Sequence, residues 1–453
     1  MRLLKEDFSG YRMTELGPLP EEWRVVRLGD IASFETGKRE KGGAKRNGDV
    51  LSIGGEHITE DGRIDWSVSP KYISMAFFEQ LRYGKVRQGD VLVVKDGART
   101  GKSAYVYEVP KPGLAVNEHV FIVRASSTEV EREFLGFWFR SEIAWDQVNL
   151  SYHGLIGGIN RRDIESFILS LPPLPEQRAI AYVLRTVQRA KEVTERVIAA
   201  LRELKKSLMR HLFTYGPVPV GATDQVALQD TPIGPLPAHW RLIKLGEVAE
   251  KPQYGYTSSA IPEPVGPKFL RITDIRNDRV HWASVPYCVI EDDLLHKYRL
   301  RRGDILFARI GATTGKTYLI SECPQAVFAS YLIRIRTDAS QLLPKYLYFF
   351  TYTPQYWQQI NAAKGGRLKQ GINIPILTTL RLPLPPLDEQ RQIARILQTV
   401  DDKIEAEEAR KEALDNLFRS LLRHLMAAKI RVPRGMVKVF ESSEEFLGRK
   451  EEP

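Results

Sequence analysis

Apolar residues recur three and four positions apart along two long stretches of this chain. In the first, Ile180, Val183, Val187, Ala190, Thr194, Val197, Leu201, Leu204, Leu208 and His211 keep that spacing, which predicts a long helix with a seam of coiled-coil type. Pro175 suits its first turn and Glu176 the positive end of its dipole, while Thr214-Tyr215-Gly216-Pro217 stops it. In the second, Ile393, Ile396, Val400, Ile404, Leu414, Leu417 and Leu421 carry the seam, and Lys403, Glu407 and Arg410 interrupt it. Each helix covers about 32 residues between its first and last seam positions, roughly 48 Å at 1.5 Å per residue. A stripe of that length has to be buried, and each helix offers the other a partner. The expected arrangement is antiparallel, with Val197, Leu201, Leu204 and Leu208 packed against Leu414, Leu417 and Leu421. Elsewhere, short apolar runs predict strands at Val91–Val94, Val120–Val123, Ile305–Phe307 and Tyr331–Ile335, and helices near Glu129–Arg140 and Pro344–Thr351.

The two long helices are one sequence written twice. Pro172-Pro173-Leu174-Pro175-Glu176-Gln177-Arg178 returns 213 positions on as Pro385-Pro386-Leu387-Asp388-Glu389-Gln390-Arg391, and Arg210-His211-Leu212 returns as Arg423-His424-Leu425. Upstream, Thr14, Gly17-Pro18-Leu19-Pro20, Trp23 and Leu28-Gly29 recur at Thr231, Gly234-Pro235-Leu236-Pro237, Trp240 and Leu245-Gly246. Gly89-Asp90 and Gly97-Ala98-Arg99-Thr100-Gly101-Lys102 recur at Gly303-Asp304 and Gly311-Ala312-Thr313-Thr314-Gly315-Lys316. Between these landmarks the halves hardly match, the pattern of one scaffold carrying two different surfaces. The expected division is a first domain over residues 1–174, a helix over 175–213, a Pro- and Gly-rich linker over 214–232, a second domain over 233–386, a helix over 387–428 and a tail over 429–453.

Composition narrows the class. With 453 residues, each half is long enough to bury its own core, and 43% hydrophobic with 27% charged residues describes an ordinary globular chain. No run reaches the roughly 18 apolar residues of a membrane span, and the first residues lack the apolar core of a signal peptide. Cys288 and Cys323 both lie in the second half without zinc spacing, so neither a disulfide nor a metal is expected, and the protein is placed in the cytoplasm. The net charge of +10 says less than its distribution. Arg82, Lys85, Arg87, Lys95, Arg99 and Lys102 surround the first glycine segment, and Lys297, Arg299, Arg301, Arg302, Arg309 and Lys316 surround the second. A positive excess at the same landmark in both copies fits a phosphate backbone, whereas either one alone would read as a solvated face.

Catalytic signatures fail on inspection. The two Gly-x-x-x-Gly-Lys segments suggest a phosphate-binding loop, but that motif needs a further glycine where Asp96 and Ile310 stand. They are expected instead as turns after strands. The eight histidines show no metal spacing, and neither a methyl-donor glycine loop nor an Asn/Asp-Pro-Pro-aromatic motif is found. A binding protein, not an enzyme, is the expectation.

Three duplicated motifs carry a resemblance: Thr-x-x-Gly-x-Leu-Pro-x-x-Trp, Gly-Asp-Ile/Val-Leu followed by Gly-x-x-x-Gly-Lys, and Leu-Pro-Pro-Leu-x-Glu-Gln-Arg. Together, from about Thr14 to Leu425, they resemble the specificity subunit of type I restriction-modification systems. The resemblance implies an α+β architecture: two similar mixed α/β target-recognition domains joined by two long antiparallel coiled-coil helices, a pseudo-twofold internal duplication. It implies that each domain reads one half of a bipartite, asymmetric site in double-stranded DNA, and that the helices set the spacing and dock two methyltransferase subunits. Restriction subunits complete the implied assembly. S-adenosylmethionine, ATP and magnesium are implied on those partners, which carry adenine methylation and ATP-dependent cleavage, and no cofactor on this chain. Candidate DNA contacts are Arg99, Lys102, Arg301, Arg302, Arg309, Lys316, Lys364, Arg367 and Lys369. Candidate docking residues are Arg178, Arg185, Arg391 and Arg395, for which a plain solvated face is the competing reading. The other functional reading left open is a structural adaptor whose partners make the main DNA contacts.

Overall fold

A computed structural model describes residues 10–152, 157–276, 278–364 and 371–448. The chain forms two compact units. One runs to Glu195 and takes up the chain again from Arg410; the other runs from Arg196 to Ala409.

Each unit is built on a four-stranded antiparallel sheet of the same order. In the first, Ala32–Thr36, Val120–Ala125, Val91–Val94 and Ser103–Tyr105 lie side by side; in the second, Gln253–Tyr254, Leu332–Ile335, Ile305–Ala308 and Thr317–Leu319 do. The expected strands are present, and the structure explains their uninterrupted apolar character. Val91, Val93, Phe121 and Val123 face a core with Phe134 and Trp138, while Leu92, Val94, Val120 and Ile122 face a second core with Leu114 and Val116. A sheet covered on both sides has no polar face to alternate with. The second unit repeats this, with Ile305, Phe307 and Ile333 on one side and Leu306 and Leu332 on the other. Helices Arg132–Trp138 and Pro344–Phe350 fall within the predicted segments.

The long helices run Leu174–Tyr215 and Leu387–Met426, 42 and 40 residues, about 60 Å each. Within the first unit Lys191 pairs with Asp415 and Glu195 with Lys411; within the second Arg202 pairs with Glu408 and Lys205 with Asp401. In each unit the partners run in opposite directions, so the pairing is antiparallel as expected.

The seam itself is corrected. Val197, Leu201, Leu204 and Leu208 belong to the second unit and Leu414, Leu417 and Leu421 to the first, and within each unit the ion pairs set other segments of the two helices side by side. Leu204 and Leu417 are exposed, at 47% and 46%. Over much of its length the buried stripe lies one position further on, at Leu184, Ile198, Met209 and Leu212 in the first helix and Leu397, Phe418 and Leu422 in the second, whereas Ile180, Thr194 and Ile393 are buried where the spacing placed them. Val197, Leu201, Leu208, Leu414 and Leu421 are half-buried along its flank. The physical reason is that these helices bury a wide face against their own domains as well as against each other. A seam read at coiled-coil spacing follows a period of 3.5, whereas a straight helix repeats at 3.6.

The motif at each helix entrance is explained by burial. Gln177 is fully buried; its amide nitrogen donates to the carbonyls of Glu129 and Pro172, and its oxygen accepts from the Glu131 amide, each at 2.8 Å. Gln390 does the same with Gln341, Pro385 and Leu343. Glu176 accepts from the Trp23 indole at 3.0 Å and Glu389 from Trp240 at 2.8 Å. The duplicated Trp and Glu-Gln landmarks thus form one joint, made twice.

Two boundaries differ from expectation. The linker over 214–232 begins inside the helix, which Gly216 ends with φ 80°, and it contains a 3-10 turn at Val220–Gln225 and a strand at Leu228–Gln229. The tail over 429–453 carries a helix, Arg434–Gly448, whose Met436, Val437 and Phe440 pack on the first core. Ahead of it Arg431 pairs with Glu176 at 2.6 Å and Glu22 at 2.8 Å. Among the described residues no helix is long and apolar enough to cross a membrane.

Candidate nucleic-acid interface

Sheet register decides which loops share an end. Thr36 pairs with Phe121 and Val94 with Val120, so the loops after Ala32–Thr36 and Val91–Val94 and before Val120–Ala125 emerge together. The glycine turn is there. Gly97 and Gly101 have φ of 86° and 84°, and the Thr100 hydroxyl donates to the Gly97 carbonyl at 2.7 Å. Gly311, Thr314 and Gly315 repeat this geometry. Both segments are tight strand-to-strand turns, as the missing glycine predicted, and glycine is needed where φ is positive. Beside the turn Gly97 donates to the carbonyl of Gly157, and in the second unit Ile310 bridges to Gly371.

The candidate cations are not equivalent here. Arg99 is exposed but its guanidinium donates to the carbonyls of Glu56 at 2.8 Å and Ile58 at 3.2 Å. Lys102, only 17% exposed, pairs with Glu60 at 2.9 Å. Arg309 lies over the Tyr254 ring, 4.7 Å from its centroid, and donates to the Ser330 carbonyl. Lys364 donates to the Thr314 carbonyl at 2.7 Å and sits over Trp357. Lys316 is exposed beside the turn. Arg301 and Arg302 are exposed but precede strand Ile305–Ala308, at the opposite end of the sheet from the turn that follows it. Within the second unit, Arg301 and Arg302 therefore do not share a surface with Arg309, Lys316 and Lys364, and Arg367 and Lys369 lie outside the described residues. Of the docking candidates, Arg178 and Arg185 are engaged with Glu131 and Glu133, at 3.5 and 3.0 Å; Arg391 is exposed and pairs with the exposed Asp388 at 2.6 Å, and Arg395 is exposed.

The strongest positive feature at this end was missed. Lys38, Arg39, Lys41, Lys45 and Arg46 are all exposed in the loop after strand Ala32–Thr36, whose two acidic residues are engaged, Glu40 by Ser74 and Asp49 by the Met75 amide. The corresponding loop of the second unit, residues 255–267, has Glu263 as its single charge and is otherwise made of Ser, Thr, Pro, Gly, Tyr and small apolar residues. Its end of the sheet presents Tyr254, Tyr331 and Arg309. The signal in the sequence is the local charge over 38–46, five cations against Glu40, but this run of charge has no counterpart in the second half, so the duplication does not point to it. Among the described residues no group of three His, Cys, Asp or Glu could hold a metal ion.

The comparisons with known proteins agree with this architecture. The chain is 23% identical over 423 residues to the specificity subunit of the type I restriction enzyme MjaVIII from Methanocaldococcus jannaschii, covering 91% of this chain and 94% of the relative. It is 20% identical over 426 residues to the specificity subunit of the type I restriction enzyme EcoKI from Escherichia coli, covering 90% and 89%. The fold is similar to a crystal structure of the type I restriction-modification S subunit from M. genitalium, with a TM-score of 0.58 at 13% identity over 89% of this chain and 96% of that one. Residues 20–203 and 237–416 each match the type I restriction modification DNA specificity domain, and the chain belongs to that family.

Proposed function

We propose that this chain reads a bipartite DNA site, one half with each domain, for a type I restriction-modification complex whose chemistry resides on other subunits. The observation that carries this reading is the pairing of identical frames with unlike surfaces. The same sheet end, turned by the same Gly-x-x-x-Gly segment, presents a loop with five cations in the first unit and a nearly uncharged, hydroxyl- and proline-rich loop in the second. Phosphate contacts position a protein on DNA while base-edge contacts specify sequence, so two unlike loops on one frame read two unlike half-sites.

The long helices in this reading set the spacing, and their exposed residues, Arg391 and Arg395 among them, are the surface offered to two methyltransferase subunits; restriction subunits join that assembly. S-adenosylmethionine, ATP and magnesium belong to those partners. The test is methylome mapping in a host that carries the chain with its methyltransferase subunits, before and after residues 24–155 are exchanged for the same region of a relative. The expected result is a methylated site with two unlike halves and an unspecified gap, of which the exchange alters one half. A site in which both halves change together would refute the two-reader model.

A further inference from the structure

Arg63 and Arg279 occupy matching places in the two halves. Each follows a residue in the left-handed region, Gly62 at φ 79° and Asp278 at φ 57°. Each opens an Arg-Ile/Val-x-Trp sequence ending at Trp66 or Trp282, 216 positions apart. The first turn is closed by Thr59, whose hydroxyl accepts from the Arg63 amide at 3.0 Å, and the second by pairing of Ile275–Arg276 with Arg279–Val280. This motif is a further repeat, lying in a stretch where the two halves otherwise diverge.

Both arginines reach carboxylates at equivalent positions of the duplicated helices. Arg63 lies 2.7 Å from Glu195, and Arg279 lies 3.4 Å from both Glu408 and Glu405; Glu195 and Glu408 are 213 positions apart. Each carboxylate also takes a cation from the facing helix: Lys411 reaches Glu195 at 3.3 Å, and Arg202 reaches Glu408 at 2.8 Å. In each unit one carboxylate therefore joins the reading domain, the helix that follows it and the facing helix. The first junction is reinforced by Asp61, which pairs with Arg63 and with Lys191. Burial pushes the Asp61 carboxyl up, but the hydrogen bonds from Thr59 and Arg63 and the Lys191 charge bring it down to about 2.

Half-exposed ion pairs contribute little to stability, so stability does not account for finding this one twice. What a three-way junction does is fix geometry. The hydrogen-bonded helix-entrance joint described above anchors each domain at one end of its helix; the arginine pins it nearer the helix middle, and two separated attachments define an orientation where one does not. We propose that Glu195 and Glu408, paired with Arg63 and Arg279, are positioning residues that set the pose of each reading domain on the helices, and with it the gap the complex accepts between half-sites.

This rests on the bipartite reading, and the experiment separates the two. The full chain, assembled with its methyltransferase subunits, is given duplexes with both half-sites constant and the gap varied one base pair at a time. The wild type should prefer one gap by at least tenfold. In the Arg63→Ala/Arg279→Ala variant the neighbouring gaps should gain severalfold relative to the preferred one, with the half-site bases and the thermal midpoint unchanged. Glu195→Gln/Glu408→Gln, which keeps the side-chain shape, should do the same, and Arg63→Lys/Arg279→Lys should largely restore discrimination. Arg279→Ala alone should exceed Arg63→Ala, because Lys191 and Asp61 still tie the first domain to its helix. A wild-type gap profile in both double variants would overturn the proposal while leaving the bipartite reading intact, as would a uniform loss at all gaps with a lowered midpoint. A wild type that methylates all gaps alike would overturn both.

Discussion

Replacing Gln177 by glutamate exchanges one heavy atom at the centre of the helix-entrance joint without altering its shape. The amide nitrogen that donates to the Glu129 and Pro172 carbonyls becomes an oxygen, while the acceptor for the Glu131 amide is retained. The buried Pro172 carbonyl and the partly buried Glu129 carbonyl lose their donor, at about 1–3 kcal/mol for a fully buried group and less for the other, so Gln177→Glu should cost roughly 2–5 kcal/mol at pH 7.5. A loss of 3 kcal/mol lowers the midpoint of a unit of this size by about 6–12 °C. The cost is pH-dependent. A carboxyl facing two carbonyls has its folded pKa raised above the unfolded value near 4.3, so the penalty is full above the raised pKa and shrinks as pH falls, when the protonated acid can donate once. Scanning calorimetry of the full chain at pH 7.5 and 5.0 reads both effects. Gln390→Glu should act in the same way on the second unit, and Arg391→Ala, at an exposed position of the same motif, should move the midpoint by less than about 1 °C. A Gln177→Glu protein melting with the wild type at pH 7.5, or an equal loss in Arg391→Ala, would refute this account of why the motif is duplicated.

Leu184→Ala, at a fully buried position, should cost about 2–5 kcal/mol in urea unfolding, whereas Leu204→Ala should cost well under about 1 kcal/mol; equal costs would restore the seam first read from the spacing. Alanine at Lys38, Arg39, Lys41, Lys45 and Arg46 together should shallow the salt dependence of DNA binding by about one unit per lost phosphate contact. Lys102→Ala, whose lysine is already paired with Glu60, should leave that dependence unaltered, as measured by anisotropy over a salt series. Seven residues inserted at matched points of both long helices keep the buried stripe in register and add about 10 Å, close to three base pairs of axial rise. Methylation should move to correspondingly wider gaps, and retention of the original gap would exclude the helices as a ruler.

The duplication, the strands, the two helices and the turn character of the Gly-x-x-x-Gly segments were legible in the sequence because each rests on local rules: periodicity, glycine at positive φ, and breakers. The Leu-Pro-Pro-Leu-x-Glu-Gln-Arg motif was legible as a landmark but not as a mechanism. Only tertiary structure shows Gln177 and Gln390 saturating three backbone groups drawn from segments nearly fifty residues apart. The buried stripe matches the spacing at Ile180, Thr194 and Ile393 and departs from it by one position elsewhere, because spacing along a helix does not say which neighbour covers it. Here the domains as well as the facing helix do, and that is a property of the packed unit.

The same division applies to the reading surface. That Arg99, Lys102, Arg309 and Lys316 carry charge beside a duplicated turn is a fact of sequence; that Arg99 and Lys102 spend it on neighbouring carbonyls and on Glu60 is decided by contacts between residues some forty positions apart. Sheet register, in turn, brings the basic loop at Lys38–Arg46 to the end where the turn lies and leaves Arg301 and Arg302 at the other. The sequence by itself determined that two similar domains and two long helices exist, since repeats and periodicity are one-dimensional. Which side chains face outward together, and which carboxylate joins a domain to both helices, depends on strand order and helix direction, and these are set only when distant segments pack.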